Sequence, residues 1–175
     1  MRFSVRDYKL MELTIKKAAS ALKRDEYPIA ATLVIDNKII GTVGNKLCSK
    51  EDWISHAELL ILKTYSRLLK RNRRKKSRIE LFTTLEPCLM CLGASVFNRV
   101  SRIVFSCPDP CAGATNLNIQ NLNFWYRKKW PLIEGGLLKN KSYSLFIKFA
   151  ERRNEVGWRN IENLFKKMYR TWSVK

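Results

Sequence analysis

The spacing of apolar residues predicts a helix at the start of the chain and a β-hairpin after it. Residues 7–24 repeat apolar side chains at helical spacing. Two β-branched runs follow at 29–35 and 38–43, and the turn pair Asp36-Asn37 joins them, so they predict the two strands of a hairpin. The apolar side of the first helix is expected to comprise Tyr8, Met11, Leu13, Ile15, Ala18 and Leu22.

Helices and strands alternate through the middle of the chain. Apolar residues at helical spacing predict a helix over 55–69. Short apolar runs predict strands over 79–84 and 102–106, and a helix is expected between them over 88–97. The resulting order, α-β-β-α-β-α-β, is typical of an α/β protein with helices packed on a mixed sheet.

The last third of the chain combines aromatic and basic residues. Residues 124–131 read FWYRKKWP, and a helical pattern runs from about residue 143 to the end. No repeat or low-complexity linker divides the chain, so we predict one domain over 1–175 with a divergent part from about residue 117. The apolar residues that recur at helical spacing near the end of the chain form a stripe, which is more typical of core packing than of a base-stacking surface. The stripe comprises Trp158, Ile161, Leu164, Phe165, Met168 and Trp172.

Charge adds a candidate partner to this picture. The chain has 34 Lys plus Arg against 15 Asp plus Glu, a formal net charge of +19. Residues 63–78 contain many bases and no acids, and we expect them to end a helix and form a projecting basic loop. Such an excess favours a polyanion, most simply nucleic acid. The alternatives are a host with a generally basic proteome, or a solvated surface.

Cysteine usage and hydropathy indicate the compartment. There are five cysteines, an odd number, and the N-terminal segment has no uninterrupted apolar stretch typical of a signal peptide. Metal binding or free thiols are therefore expected rather than a disulfide framework. No run reaches the ~18 apolar residues that a membrane span requires. We expect a cytoplasmic protein without a membrane partner.

Four residues in two short motifs form a candidate metal centre. His56 is the one histidine of the chain, and Glu58 follows two residues later. Cys88 and Cys91, after Pro87, lie at a predicted helix start, where unpaired N–H groups favour thiolates. Three N/S ligands leave the fourth position of a tetrahedral zinc ion open, which is typical of a catalytic site. Glu58 can then act on water there without binding the metal.

Each motif also has a structural interpretation. Ser55-x-x-Glu58 matches a helix capping box, so Glu58 could be a cap. A single Cys-x-x-Cys could be a redox pair or half of a structural zinc site. Together, however, H-x-E followed by P-C-x-x-C resembles the motif pair of zinc-dependent nucleobase deaminases.

The sequence resembles the cytidine deaminase-like superfamily, and specifically its bacterial tRNA adenosine deaminase branch. The resemblance lies in EYPIAA at 26–31, HAE at 56–58, TTLEPCLMCLGAS at 83–95 and RIVF at 102–105. It covers roughly residues 7–116. It implies a three-layer α/β/α fold with a mixed sheet of about five strands, one Zn²⁺ per chain, and a homodimer. The implied zinc ligands are His56, Cys88 and Cys91.

The resemblance also implies roles at matching positions. Glu58 corresponds to the general acid/base, which takes a proton from water and delivers protons to the ring nitrogen and the leaving amine. Asn45 corresponds to the residue that holds the flipped base, and Ala57 belongs to the same substrate site. Asp109 corresponds to a contact with the backbone of the target nucleotide. From the residues alone, Asn45 could instead be a turn residue, and Asp109 part of a rigid turn between two prolines.

The implied activity is zinc-dependent hydrolytic deamination of a nucleobase, with adenosine to inosine in tRNA or other RNA favoured. Three alternatives stay open: cytosine in single-stranded nucleic acid including DNA, a free base or nucleoside such as cytosine or guanine, and a non-catalytic nucleic-acid-binding subunit. The tRNA-editing members carry an Arg directly before the Asp109 position and a Lys two residues after it. This chain has Pro108 and Cys111 there.

Overall fold

The computed structural model describes residues 2–153 and 156–171. Its elements, in chain order, are α1 (Val5–Leu22), β1 (Ala30–Ile35), β2 (Lys38–Gly44), α2 (Leu47–Lys50), α3 (Ala57–Thr64), α4 (Ser66–Arg74), β3 (Ile79–Leu85), α5 (Leu89–Phe97), β4 (Arg102–Cys107), a 3₁₀ turn (Ile119–Asn121), α6 (Phe124–Lys129), β5 (Leu132–Gly135), α7 (Lys139–Arg153) and α8 (Val156–Thr171).

One sheet with the order β2-β1-β3-β4-β5 forms the centre of the fold. Strand β1 is antiparallel to β2 and to β3, whereas β3, β4 and β5 run parallel. The predicted mixed five-stranded α/β fold is confirmed, although the sequence locates only four of the strands. Within the described residues, no helix is long and apolar enough to cross a membrane.

Alternating strand residues supply two apolar faces, which helices cover from both sides. Leu33 and Leu81 belong to the core that packs against α3, α4 and α5. Their neighbours Val34 and Phe82 belong to the core that packs against α1. Helix α7 lies on the same side as α1 and packs against β4. This arrangement is the predicted three-layer α/β/α sandwich.

Helix α1 confirms the first predicted helix, but its buried side differs from the prediction. Ser4 and Asp7 form a reciprocal capping box at its start. Tyr8 and Leu13, predicted to be buried, are 43% and 38% exposed. Thr14 is buried instead, because its hydroxyl bonds back to the backbone and can therefore enter the core.

The predicted helix over 55–69 is divided in two, and the predicted basic loop is wrong. The backbone of Tyr65 leaves the helical region, with φ −102° and ψ 18°. Its ring covers Gly41 so closely that a Cβ there would lie 2.5 Å from the hydroxyl. The chain then continues as α4, because Leu69 is buried in the core and gives this basic segment an apolar inner side.

The C-terminal pattern forms two helices, α7 and α8, rather than one. Phe165 of α8 is buried and stacks on Phe146 of α7, with ring centroids 4.6 Å apart. Trp158 packs against further aromatic rings of the core. The stripe therefore serves core packing at these positions, whereas Leu164 is exposed. Trp172 lies outside the described residues.

Candidate metal centre and active site

The candidate metal ligands lie at the start of two helices on one side of the sheet. His56 is the residue immediately before α3, and Cys88 is the residue immediately before α5. Cys91 lies in the first turn of α5 and is buried. Strand β3 ends just before Cys88, so the site lies at the edge where the parallel strands end. Unpaired N–H groups at a helix N-terminus favour a thiolate, whereas burial acts in the opposite direction on Cys91.

The distances between the three side chains fit a zinc ion. His56 Nδ1 lies 3.6 Å from the Sγ atoms of Cys88 and Cys91, and the two Sγ atoms are 3.5 Å apart. Tetrahedral zinc with ordinary bond lengths requires about 3.6 Å between N and S and about 3.8 Å between two S atoms. In the described part of the chain, this is the one group of three potential ligands that converges in this way.

The protonation of the three ligands is coupled. The hydrogen-bond contact between Cys88 and Cys91 lowers the pKa of Cys88 to about 4 and outweighs the effect of burial. The same contact, together with burial, raises the pKa of Cys91. The contact with Cys88 also raises the pKa of His56. A thiol with a raised pKa must release its proton when it binds a cation, so metal binding at this group would depend on pH.

Glu58 lies beside these ligands as a buried carboxyl group. One oxygen, Oε1, accepts a hydrogen bond of 3.0 Å from the Thr83 hydroxyl. The other, Oε2, is buried and bonds to none of the described residues. Burial raises the pKa of Glu58 above the usual value. A buried polar oxygen without a protein partner is costly, so Oε2 is available to a group that enters the site.

The capping interpretation of Glu58 does not hold. The residue at the cap of α3 is His56, whose side chain makes no capping hydrogen bond. Ser55, the other member of the predicted capping box, donates its hydroxyl to Asp52 instead, at 2.7 Å. The predicted capping box between Ser55 and Glu58 is therefore not formed.

Asn45 lies in a turn that borders the metal centre. Its Oδ1 accepts the N–H of Leu47 at 2.7 Å, as expected of a turn residue. The next residue, Lys46, donates its N–H to the carbonyl of Ser55 at 3.2 Å, which brings the turn beside His56. The side-chain NH₂ group of Asn45 is the hydrogen-bond donor of this side chain. Its predicted contact with a base stays a prediction.

Asp109 lies in the loop after β4. Its Oδ1 accepts the N–H groups of Cys111 at 2.8 Å and Ala112 at 3.2 Å, which is the rigid turn that the flanking prolines indicate. Burial raises the pKa of Asp109. Glu86 holds this loop, because its carboxylate accepts the N–H groups of Asp109 at 3.1 Å and Thr115 at 3.0 Å. The predicted nucleotide contact of Asp109 stays a prediction.

Ala57 is the first residue of α3 and is buried between His56 and Glu58. Its place in the substrate site is a prediction that follows from these two neighbours. The structure thus brings His56, Ala57, Glu58, Cys88 and Cys91 together, with the Asn45 turn alongside.

Two buried carboxylates that support the site were not predicted as functional. Glu26 accepts the N–H groups of Cys48 and Ser49 at 2.9 and 2.8 Å, and so holds the segment after Asn45. Glu86 packs against Gly113, where a Cβ would lie 2.5 Å from the carboxyl carbon. The signal for Glu86 was its position directly before the Pro-Cys pair, whereas the partners of Glu26 are more than twenty residues away.

Comparisons with known proteins agree with this geometry. Residues 4–107 match the family model described as the cytidine and deoxycytidylate deaminase zinc-binding region. A tRNA-specific adenosine deaminase from Buchnera aphidicola subsp. Schizaphis graminum is 34% identical over 163 residues, which are 93% of this chain and 96% of the relative. The enzyme of the same name from Agrobacterium fabrum is 32% identical over 143 residues, 82% of this chain and 93% of the relative.

A solved structure supports the same relationship. It comes from work on A-to-I editing by tRNA:A34 deaminases at the wobble position of transfer RNA. Its sequence is 30% identical, its TM-score is 0.64, and the match covers 78% of this chain and 98% of that one.

Proposed function

Because this chain belongs to the cytidine and deoxycytidylate deaminase family, we propose that it converts adenosine to inosine in tRNA by hydrolysis. Membership makes the chain a zinc-dependent hydrolytic deaminase, and the predicted zinc cofactor is confirmed. The observation that carries the proposal is the buried Oε2 of Glu58, which has no hydrogen-bond partner among the described residues and lies beside three converging candidate ligand atoms. The tRNA substrate is supported by the relatives and by the net charge of +19.

The proposed mechanism assigns the metal to three side chains and the proton transfers to one. His56, Cys88 and Cys91 hold the ion and leave one position open. When bound, zinc supplies Lewis acidity and makes water acidic enough to be a nucleophile at neutral pH. We assign Asn45, Ala57 and Asp109 to the substrate side of the site.

Glu58 is the general acid/base of this mechanism. Its Oε2 accepts a proton from the attacking water and passes it to the ring nitrogen next to C6 of adenine. A second proton from water goes through the same oxygen to the amino group, which leaves as ammonia. The raised pKa of Glu58 suits a group that must hold a proton between the two transfers. Thr83 fixes the carboxyl group by bonding to Oε1, so that Oε2 faces the reaction.

The proposal includes a homodimer in the cytoplasm and one catalytic domain per chain. Exposed apolar side chains flank the metal centre, with Trp53 75% and Ile54 62% exposed just before His56. Leu89 and Met90, between the two cysteines, are also exposed. Clustered exposed apolar residues are typical of surfaces that a partner chain covers.

A substrate panel tests the reaction and the polymer separately. Zinc-loaded protein is incubated with tRNA, single-stranded DNA, free adenosine, cytidine and guanine, and the products are identified by chromatography and sequencing. We expect inosine in tRNA. The matched control is Glu58→Gln, which keeps the size of the side chain and removes its proton-transfer capacity.

The outcomes distinguish the alternatives. Turnover of free bases or nucleosides alone would refute the polymeric substrate. Formation of uridine in single-stranded nucleic acid would show that the target base is cytosine and not adenine. Full activity of a zinc-containing Glu58→Gln variant would contradict the assignment of the proton shuttle.

A further inference from the structure

Helix α4 carries a stripe of positive charge that the deaminase mechanism does not use. Arg67, Lys70, Arg71 and Arg74 are all exposed. Their spacing of i, i+3, i+4 and i+7 places them on one face of the helix. They line a concave surface region of about 300 Å³. We call these four residues the α4 stripe.

The stripe has no compensating charge in the described part of the chain, where none of its four side chains forms an ion pair with a carboxylate. Arg78, which also belongs to the basic segment, pairs with Glu80 at 3.0 Å. Like charges three or four residues apart destabilise a helix. Leu69, buried on the other side of α4, holds it in place against this repulsion. A polyanion would relieve the repulsion by binding to all four groups.

Aromatic side chains continue this surface beyond the stripe. Lys70 and Phe97 line the same small cavity, of about 270 Å³. Phe97 is 57% exposed, and its ring centroid lies 5.0 Å from that of Trp125 in α6. Phe124, the residue before Trp125, is 66% exposed. Cations beside exposed aromatic rings are typical of surfaces that bind single-stranded nucleic acid.

The surface lies away from the metal centre. Helix α4 connects the end of α3 to the start of β3, whereas Cys88 follows the end of β3. The seven residues of β3 extend over roughly 20 Å. A strand bound at both places must therefore be several nucleotides long.

We propose that the α4 stripe, with Phe97 and Phe124, binds the phosphates and unpaired bases of the substrate RNA at nucleotides distant from the target base. The inference rests on the proposed function in one respect, namely that the polyanion is the substrate RNA. A membrane surface fits less well, because the exposed side chains described on α4 are polar or charged and offer no apolar group for insertion.

The test compares two variants that each lose four charges. The stripe variant combines Arg67→Gln, Lys70→Gln, Arg71→Gln and Arg74→Gln. The matched control replaces four exposed lysines of the α1 and α7 side by Gln: Lys9, Lys16, Lys23 and Lys148. The dissociation constant for a full-length tRNA transcript is measured from about 50 to 200 mM salt, with zinc content and thermal unfolding as checks on folding.

We expect the slope of log affinity against log salt to fall by about 3 in the stripe variant, since each phosphate contact contributes about 0.7 to 0.9. Over that salt range the affinity of the wild type then drops about 60-fold more than that of the variant. The control should change the slope by less than about 1. An unchanged slope in the stripe variant, or an equal change in the control, would overturn the inference.

Two further measurements complete the test. Phe124→Ala should weaken tRNA binding at least about fivefold through lost stacking, and unchanged affinity would remove the aromatic part of the surface. If the stripe variant loses binding to phosphatidylserine vesicles while its tRNA slope stays unchanged, the stripe binds membranes instead. Turnover is measured separately: absence of tRNA deamination by the wild type refutes the proposed function, whereas an unchanged slope with intact turnover refutes only this inference.

Discussion

Arg102 at the start of β4 should contribute more to stability than any exposed Lys or Arg side chain of this highly basic chain. Its guanidinium contacts Asp7 at 2.8 Å, Glu80 at 3.1 Å and Glu134 at 2.6 Å. The Arg102 side chain is 9% exposed, and Glu80 is fully buried. Arg102→Met keeps the apolar stem and leaves these carboxylates without their central cation. Breaking a buried ion pair in this way costs about 3–5 kcal/mol, a large part of the total ~5–15 kcal/mol of a domain.

The assay is urea unfolding of the zinc-loaded protein, followed by tryptophan fluorescence. The free energy of unfolding comes from the midpoint and the slope of the transition. Lys141→Met is the control, because both side chains of the Lys141–Glu12 pair are exposed, and such a pair should contribute no more than about 1 kcal/mol to the free energy of unfolding. A loss below about 1 kcal/mol in Arg102→Met would show that the buried carboxylates do not depend on this guanidinium.

The same network predicts a pH dependence. Burial alone would raise the pKa of Asp7 and of Glu80, but hydrogen bonds lower both pKa values. For Asp7 these bonds come from Arg102 and then Ser4, and for Glu80 they come from Arg6 and then Arg102. A carboxyl group with a lowered folded pKa stabilises the fold above its unfolded pKa, and this contribution is lost as the pH falls through the folded value. The stability difference between wild type and Arg102→Met should therefore be largest near neutral pH and shrink below about pH 4.

Four further predictions concern the active site. Cys88→Ala should lower the zinc content from one per chain towards zero, measured by atomic absorption; full retention of zinc would contradict the ligand set. Glu58→Gln should lower kcat about 10²- to 10⁴-fold while zinc stays bound, and a smaller effect would speak against a proton shuttle. Thr83→Val should lower kcat with little change in KM, because the Glu58 carboxyl group loses the hydrogen bond that holds it; a change in KM alone would show that Thr83 contributes to substrate binding instead. Glu86→Ala should expose the loop after β4 to protease, and unchanged cleavage would show that other contacts hold the loop.

Features with local causes were predictable from the sequence. The hairpin turn is one, since Asp36 and Asn37 adopt φ values of 45° and 67°, which suit this residue pair. The two metal motifs are a second predictable feature. Each lies at the start of one helix, and its short spacing places its two functional side chains on the same side of that helix. Even so, the sequence could not exclude a capping box between Ser55 and Glu58. The structure excludes it, because the Ser55 hydroxyl donates its hydrogen bond to Asp52.

Features decided by distant contacts were not predictable. The four residues of β5 become a strand because β4 offers a parallel edge, not because of their own pattern. Leu69 turns a basic segment into a helix by entering the core. Tyr65 divides the preceding helix where it packs over Gly41.

The residue types and short spacings of the two motifs were therefore enough to identify candidates for a zinc site and a proton shuttle, because both require specific side chains close together. How these side chains are held depends on the folded chain. The fold set the distances between the three candidate ligands, left one oxygen of Glu58 buried without a hydrogen-bond partner among the described residues, and joined Arg102 to Asp7 across 95 positions of the chain. Burial and hydrogen-bond pairing depend on which distant segments meet, and no local pattern records that.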